Sequence, residues 1–170
     1  GFQGLIIAKP DSAFSEKNKF IIDQFIMKGG KVMWFVDAVS AEIDSLRNKP
    51  NTVAVSKQLN LEDMLFKYGV RINTDLLLDV KAIPIPIVTG MKGDHPDIEL
   101  HSYPFFPMVF TQNLHPIVHN LNPIKTEFVS SIDTVGGKGI KKSVLLTTSQ
   151  FSRKMNTPAT VSIDLLYQEP

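Results

Sequence analysis

The chain contains no cysteine. That excludes thiol nucleophiles, CxxC redox centres, disulfides and zinc-thiolate sites, and it leaves the redox compartment open. An excess of charge of either sign is also missing. Eighteen basic side chains stand against 17 acidic ones, and a net +1 gives no field for nucleic acid or an anionic membrane surface. No apolar run approaches the roughly 18 residues needed to cross a bilayer, and the opening residues do not read as a signal peptide. Catalytic signatures are lacking as well. What is present is apolar bulk: 43% of 170 residues is enough for one domain with its own core and too little chain for two. The expectation is a single soluble domain over residues 1–170, excised from a larger membrane-anchored protein.

Alternating element types organise the first half. Gly4 to Ala8 is a short apolar strand, and Lys9 to Ser12 turns the chain. Ser15 is placed to cap a helix whose Phe20, Ile21, Phe25 and Ile26 face inward, and Gly29-Gly30 ends it. Val32 to Val36 is a second apolar strand, followed by Asp37. Two such strands joined by an amphipathic helix form a right-handed βαβ crossover and so a parallel sheet. A short helix near Ser40 to Leu46 and a polar loop from Asn48 to Lys57 come next. Asn60 reads as a helix cap, with Glu62 and Asp63 suiting the positive helix start. Leu61, Met64, Leu65 and Tyr68 recur at helical spacing, Gly69 stops the helix, and Leu76 to Leu78 read as a strand buried on both faces.

Proline changes the character of the middle. Ile83 to Thr89 is β-rich, but Pro84 and Pro86 bar it from a central strand position. With the turn residues Gly90 to Asp94 and the alternating stretch Asp97 to Tyr103, it suggests a β-hairpin insertion at or beyond the sheet edge. The aromatic and proline-rich stretch Tyr103 to Phe110 either covers that edge or forms a partner patch anchored by Tyr103, Phe105 and Phe106. Phe128 to Ile132, Val144 to Thr148 and Val161 to Leu166 return to strand character.

Each candidate for chemistry fails a specific requirement. Gly136 to Ser143 looks like a phosphate-binding loop, but Lys141 stands where the glycine before Lys-Ser is needed, and the segment precedes a strand. His115 and His119 have the spacing of helical metal ligands without the glutamate of HExxH. Asp94, His95, Asp97, Glu99 and His101 alternate, yet Pro96 interrupts the strand and a hairpin's outer face is usually charged. Ser149 and Ser152 follow an apolar run without a GxSxG elbow. Trp34, the sole tryptophan, has apolar neighbours and reads as core.

The segments GLIIAKP, FSEKNKFIIDQFIMKGGKVMWFVD, YGV, LHPIVHNL, FVSSIDTV and SVLLTTSQFS occur in this order over nearly the whole chain. Together they resemble the auxiliary, substrate-binding-like components of certain ABC transporters, and most closely the GldG-like gliding-motility group of Bacteroidetes. The resemblance implies an α/β fold: a mainly parallel sheet flanked by helices, flavodoxin-like or class I glutamine amidotransferase-like. The amidotransferase nucleophile is a cysteine, so that chemistry is absent here. The resemblance further implies a non-catalytic domain on the periplasmic side of the inner membrane. Its partners would be a permease and an ATPase subunit, with the membrane reached through segments outside these residues. No cofactor and no metal is implied, nor any nucleic acid, and the ligand class stays open.

In such a fold, ligands sit at the carboxyl ends of the parallel strands. That position selects Lys9, Asp11 and Ser12 after the first strand, Asp37 and Ser40 after the second, and Thr148 and Ser149 after a later one. Lys9 and Asp37 either grip opposite charges on a solute or pair with each other. The rival expectation is a hydrolase or transferase acting on a polar small molecule at the same crevice, which would require Ser, Asp and His to converge there.

Overall fold

The computed structural model describes residues 1–46, 49–111, 115–136 and 139–163. The order of elements begins as the sequence predicts, with β1 (Gly4–Ala8), α1 (Glu16–Met27) and β2 (Lys31–Phe35). Phe20 and Ile21, expected to face inward, are exposed, and Ile22 takes the buried position. The Ser15 side chain accepts from the Asn18 N–H at 3.2 Å, closing the helix start. At the other end, a Cβ on Gly30 would lie 2.4 Å from the Phe25 ring, so any larger residue there would have to displace that ring. β1 and β2 pair in parallel, Ile7 opposite Trp34. Ile7, Val32 and Trp34 pack on Ile22 and Ile26 of α1 and on Leu61 and Met64 of the next helical segment, forming a small core. The opposite face of this sheet is uncovered: Ile6, Met33 and Phe35 are 67%, 53% and 50% exposed.

From there the architecture departs from expectation. The chain continues as β3 (Val39–Ser40), a 3-10 turn over Ile43–Leu46, β4 (Asn51–Ser56), α2 (Glu62–Lys67), β5 (Val70–Ile72) and β6 (Asp75–Asp79). It then forms β7 (Ala82–Lys92), β8 (His95–Thr111), β9 (Ile124–Lys125), β10 (Ile132–Thr134), β11 (Leu146–Thr147), β12 (Ser152–Asn156) and β13 (Ala159–Ser162). Every pairing beyond β1–β2 among the described residues is antiparallel: β3 and β13 on β4, β5 with β10, β6 with β12, and β7, β9 and β11 on β8. With 45% strand against 15% helix, the α/β flavodoxin-like or glutamine amidotransferase-like parallel sheet is overturned. A parallel pair needs a covering crossover of a dozen or more residues. After α1 the described helical material is the six-residue α2 and one 3-10 turn, too little to cover a wide parallel sheet.

Local corrections follow from the same pairing preference. Residues 51–56, expected within a polar loop, are β4, because Thr52, Ala54 and Ser56 turn toward the protein while Val53 and Val55 remain exposed. Ser40 lies in β3, and the expected helix shrinks to its 3-10 turn. Asn60 does not cap α2. Its backbone is left-handed (φ +55°), and its side chain instead donates to the Phe14 carbonyl at 2.9 Å and to Glu16 at 3.1 Å. Gly69 does end the helix, at φ +84°. The Leu76 to Leu78 strand is buried as expected, but the strand paired with it among the described residues, β12, runs antiparallel. Arg47, Asn48, Leu114, the Gly137-Lys138 part of the glycine-rich loop and the Asp164 to Leu166 end of the last expected strand lie outside the described residues.

The hairpin is present and longer than the sequence suggests. Its turn holds Gly93 at φ +66°, and β7, the strand with Pro84 and Pro86, lies at the end of its sheet, where absent N–H donors are tolerated. Pro84 lies opposite Ser102 and Ala82 opposite Pro107, so the single residue Ile83 of β7 is matched by four of β8, Tyr103 to Phe106. The three extra residues form a large bulge that turns Tyr103, Phe105 and Phe106 inward. There they meet Phe128, Leu76, Leu78 and Val161 in the main core. The aromatic stretch is therefore not a partner patch. A side chain with no accessible surface has nothing to offer a partner while the domain stays folded.

Candidate functional site

Only part of the predicted strand-end site comes together. After β1, the Lys9 N–H donates to the Phe35 carbonyl at 2.8 Å, with the Lys9 backbone left-handed (φ +46°). That turn brings the Lys9 ammonium to 3.7 Å from the Asp37 carboxylate, so the two pair with each other. Asp11 accepts from the Ser12 hydroxyl at 3.0 Å on the same exposed turn. Ser40 sits opposite Val55 in the β3–β4 sheet, and Thr148 and Ser149 follow β11 in the hairpin sheet.

Ser149 has a different task. Asp79, 2% exposed at the end of β6, accepts from the Ser149 hydroxyl at 2.6 Å and the Ser149 N–H at 2.7 Å, and from the Lys81 N–H at 2.8 Å. The Ser149 hydroxyl also accepts from the Phe151 N–H at 3.1 Å. At the other end of β6, Asp75 receives the Ser131 N–H and hydroxyl, both at 2.7 Å. These two buried carboxylates pin neighbouring loops to the two ends of β6. Among the described residues no histidine bonds Ser149, so no nucleophile-base pair forms there.

The other residues of interest fall in three places. His115 and His119 lie on a turn, not a helix, and the His115 ring accepts from the Ile117 N–H at 3.3 Å. Asp94 is in the hairpin turn; His95, Asp97, Glu99 and His101 follow on β8, where His101 contacts Glu99 at 3.0 Å. Among the described residues no three His, Asp or Glu side chains gather as a metal site. In the glycine-rich segment the Lys142 ammonium caps the Val135 and Gly136 carbonyls, closing the turn on itself.

The concave feature of interest is one the sequence did not point to. A cavity of about 60 Å³ opens just beyond the carboxyl end of β2, between Val36 and Ala38 on one side, α2 on another and β5 on the third. Leu59, Leu61, Leu65 and Ile72 give it an apolar floor, and Lys57, Glu62 and Arg71 stand at its edge. Its walls are fastened by polar pairs. Buried Lys19 of α1 reaches both carboxylate oxygens of Asp63 at 2.9 Å and Glu16 at 2.8 Å. Hydrogen bonds from Lys19 hold the Asp63 carboxyl below its ordinary value. The Tyr68 hydroxyl donates to Asp23 at 2.7 Å; burial, then the Asp23 carboxylate, pushes that phenol up to about 12. Arg71 is committed to Asp133 at 2.7 Å, which Asn73 also supports at 3.0 Å, and the two hold the Asp133 carboxyl low.

Lys57 and Arg71 were not singled out in the sequence because they belong to no motif, and Glu62 was read only as suiting the start of a helix. They converge only because β4, α2 and β5 meet at the end of β2. Compared with known proteins, the chain matches, over residues 1–170, the model of a family described as an ABC-type uncharacterized transport system. No curated protein and no solved structure matches it.

Proposed function

Because the chain belongs to the ABC-type uncharacterized transport system family, we propose that it is the non-catalytic binding and assembly domain of an auxiliary subunit. In this reading it is displayed on the periplasmic side of the inner membrane, beside a permease and a cytoplasmic ATPase. The resemblance of its segments to the gliding-motility group extends the proposal to that setting. Support for a binding role comes from the apolar cavity with mixed charge at its edge, at the carboxyl end of a parallel strand. Support for an assembly role comes from the uncovered Ile6, Met33 and Phe35 face, an apolar surface of the kind that docks other chains.

The absence of cysteine makes the display side directly testable. Lys17→Cys places a single thiol on the exposed side of α1. In cells with a permeabilised outer membrane, a membrane-impermeant maleimide is expected to label it fully. Labelling that appears only after the inner membrane is lysed would place the domain in the cytoplasm and overturn the proposed location.

A further inference from the structure

We propose that the cavity beyond β2 binds a free α-amino acid with a short branched aliphatic side chain. This rests on the binding role given above and names the ligand class for it. Size is the first constraint. About 60 Å³ accommodates about four water-sized groups, which suits an isopropyl or isobutyl group. An enclosed benzene ring occupies a cavity of about 150 Å³, so aromatic side chains are too large.

Charge is the second constraint. Lys57 and Glu62 stand at the edge with opposite signs, and neither forms an ion pair among the described residues, with each other or with any neighbour. The third edge charge, Arg71, is engaged by Asp133. An aliphatic acid would answer Lys57 and leave its own carboxylate facing Glu62. An aliphatic amine would do the reverse. A zwitterion carries both charges on one carbon, so its carboxylate meets Lys57 and its ammonium meets Glu62 while the side chain fills the floor of Leu59, Leu61 and Leu65. Because both edge charges remain hydrated, the affinity expected is modest, in the micromolar to millimolar range.

The test is an NMR titration of the whole chain with L-leucine, set beside isovalerate, isoamylamine and L-phenylalanine. Leucine is expected to shift amides of residues 57–65 and 71–72 in a saturable manner. Each of the other three should bind at least about tenfold more weakly, the loss of one charge-assisted hydrogen bond or of fit. Lys57→Ala and Glu62→Gln should each weaken leucine by about tenfold with the melting temperature unchanged. Leu65→Trp, which fills the cavity, should abolish it. No saturable shift up to about 10 mM leucine, a range covering millimolar affinity, would overturn the inference. So would isovalerate binding as tightly as leucine, or indifference to both edge variants. Recovery of transporter subunits by the domain together with failure to bind leucine would remove this inference and leave the transport role standing.

Discussion

Phe105→Ala is expected to lower the unfolding free energy by about 3–5 kcal/mol, the range for truncating a fully buried phenylalanine. Phe105 has no accessible surface, and its ring lies 5.5 Å from Tyr103 and 5.9 Å from Phe128, centroid to centroid. Those rings hold the β8 bulge against β6, so the alanine leaves a cavity at the centre of the main core. A domain of ordinary stability has about 5–15 kcal/mol in total, so the variant will be largely unfolded at mild denaturant concentrations. Urea denaturation followed by circular dichroism measures this. A loss below about 1 kcal/mol would mean that the aromatic stretch is a surface element after all.

Asp79→Ala is expected to cost about 3 kcal/mol by a different mechanism. The carboxylate accepts from two backbone N–H groups and one hydroxyl. Removing it leaves the Ser149 and Lys81 N–H groups without an acceptor, each a penalty of about 1–3 kcal/mol where water cannot reach. Asp79→Asn should recover only part of the loss, since its NH₂ would face one of the same donors. The same urea titration decides, and equal stability of Asp79→Ala and the parent would show that the loops after β6 and β11 are held by something else.

The legible and illegible parts of this sequence divide by the range of the interactions involved. In the opening βαβ unit the helix face was misassigned, Ile22 being buried where Phe20 and Ile21 were expected to be. The unit itself could be read because its signals are local: the Ser15 cap, the apolar residues of the helix and the glycine stop. Leu76 to Leu78 announced a buried strand for the same reason. Its partner could not be read, because Ser152 to Asn156 is a mostly polar segment far along the chain, and only pairing with β6 makes it a strand. The prolines misled in an informative way. Pro104 and Pro107 looked like breaks in an aromatic run, whereas Pro104 lies inside the bulge and Pro107 closes it opposite Ala82, so the rings between them turn inward without leaving the strand. Asn60 carried a capping signal that another claim overrode, its bonds to Phe14 and Glu16 tying α2 to α1.

The candidate site divides in the same way. The ends of β1 and β2 were identifiable, and Lys9 and Asp37 do meet there. Thr148 and Ser149 were placed at that crevice by a parallel-sheet assumption, and they fall in another sheet once the later strands run antiparallel. The cavity escaped notice because its floor and edge come from segments whose meeting depends on tertiary packing of the small core.

The transport role itself is tested most directly by affinity purification from detergent-solubilised envelope membranes, with the domain as bait and Met33→Asp with Phe35→Asp as the matched control. Stoichiometric recovery of a permease and its ATPase by the parent, lost in the doubly substituted control while its fold persists, is the predicted result. Recovery of soluble metabolic enzymes alone, or the same proteins from parent and control, would contradict it.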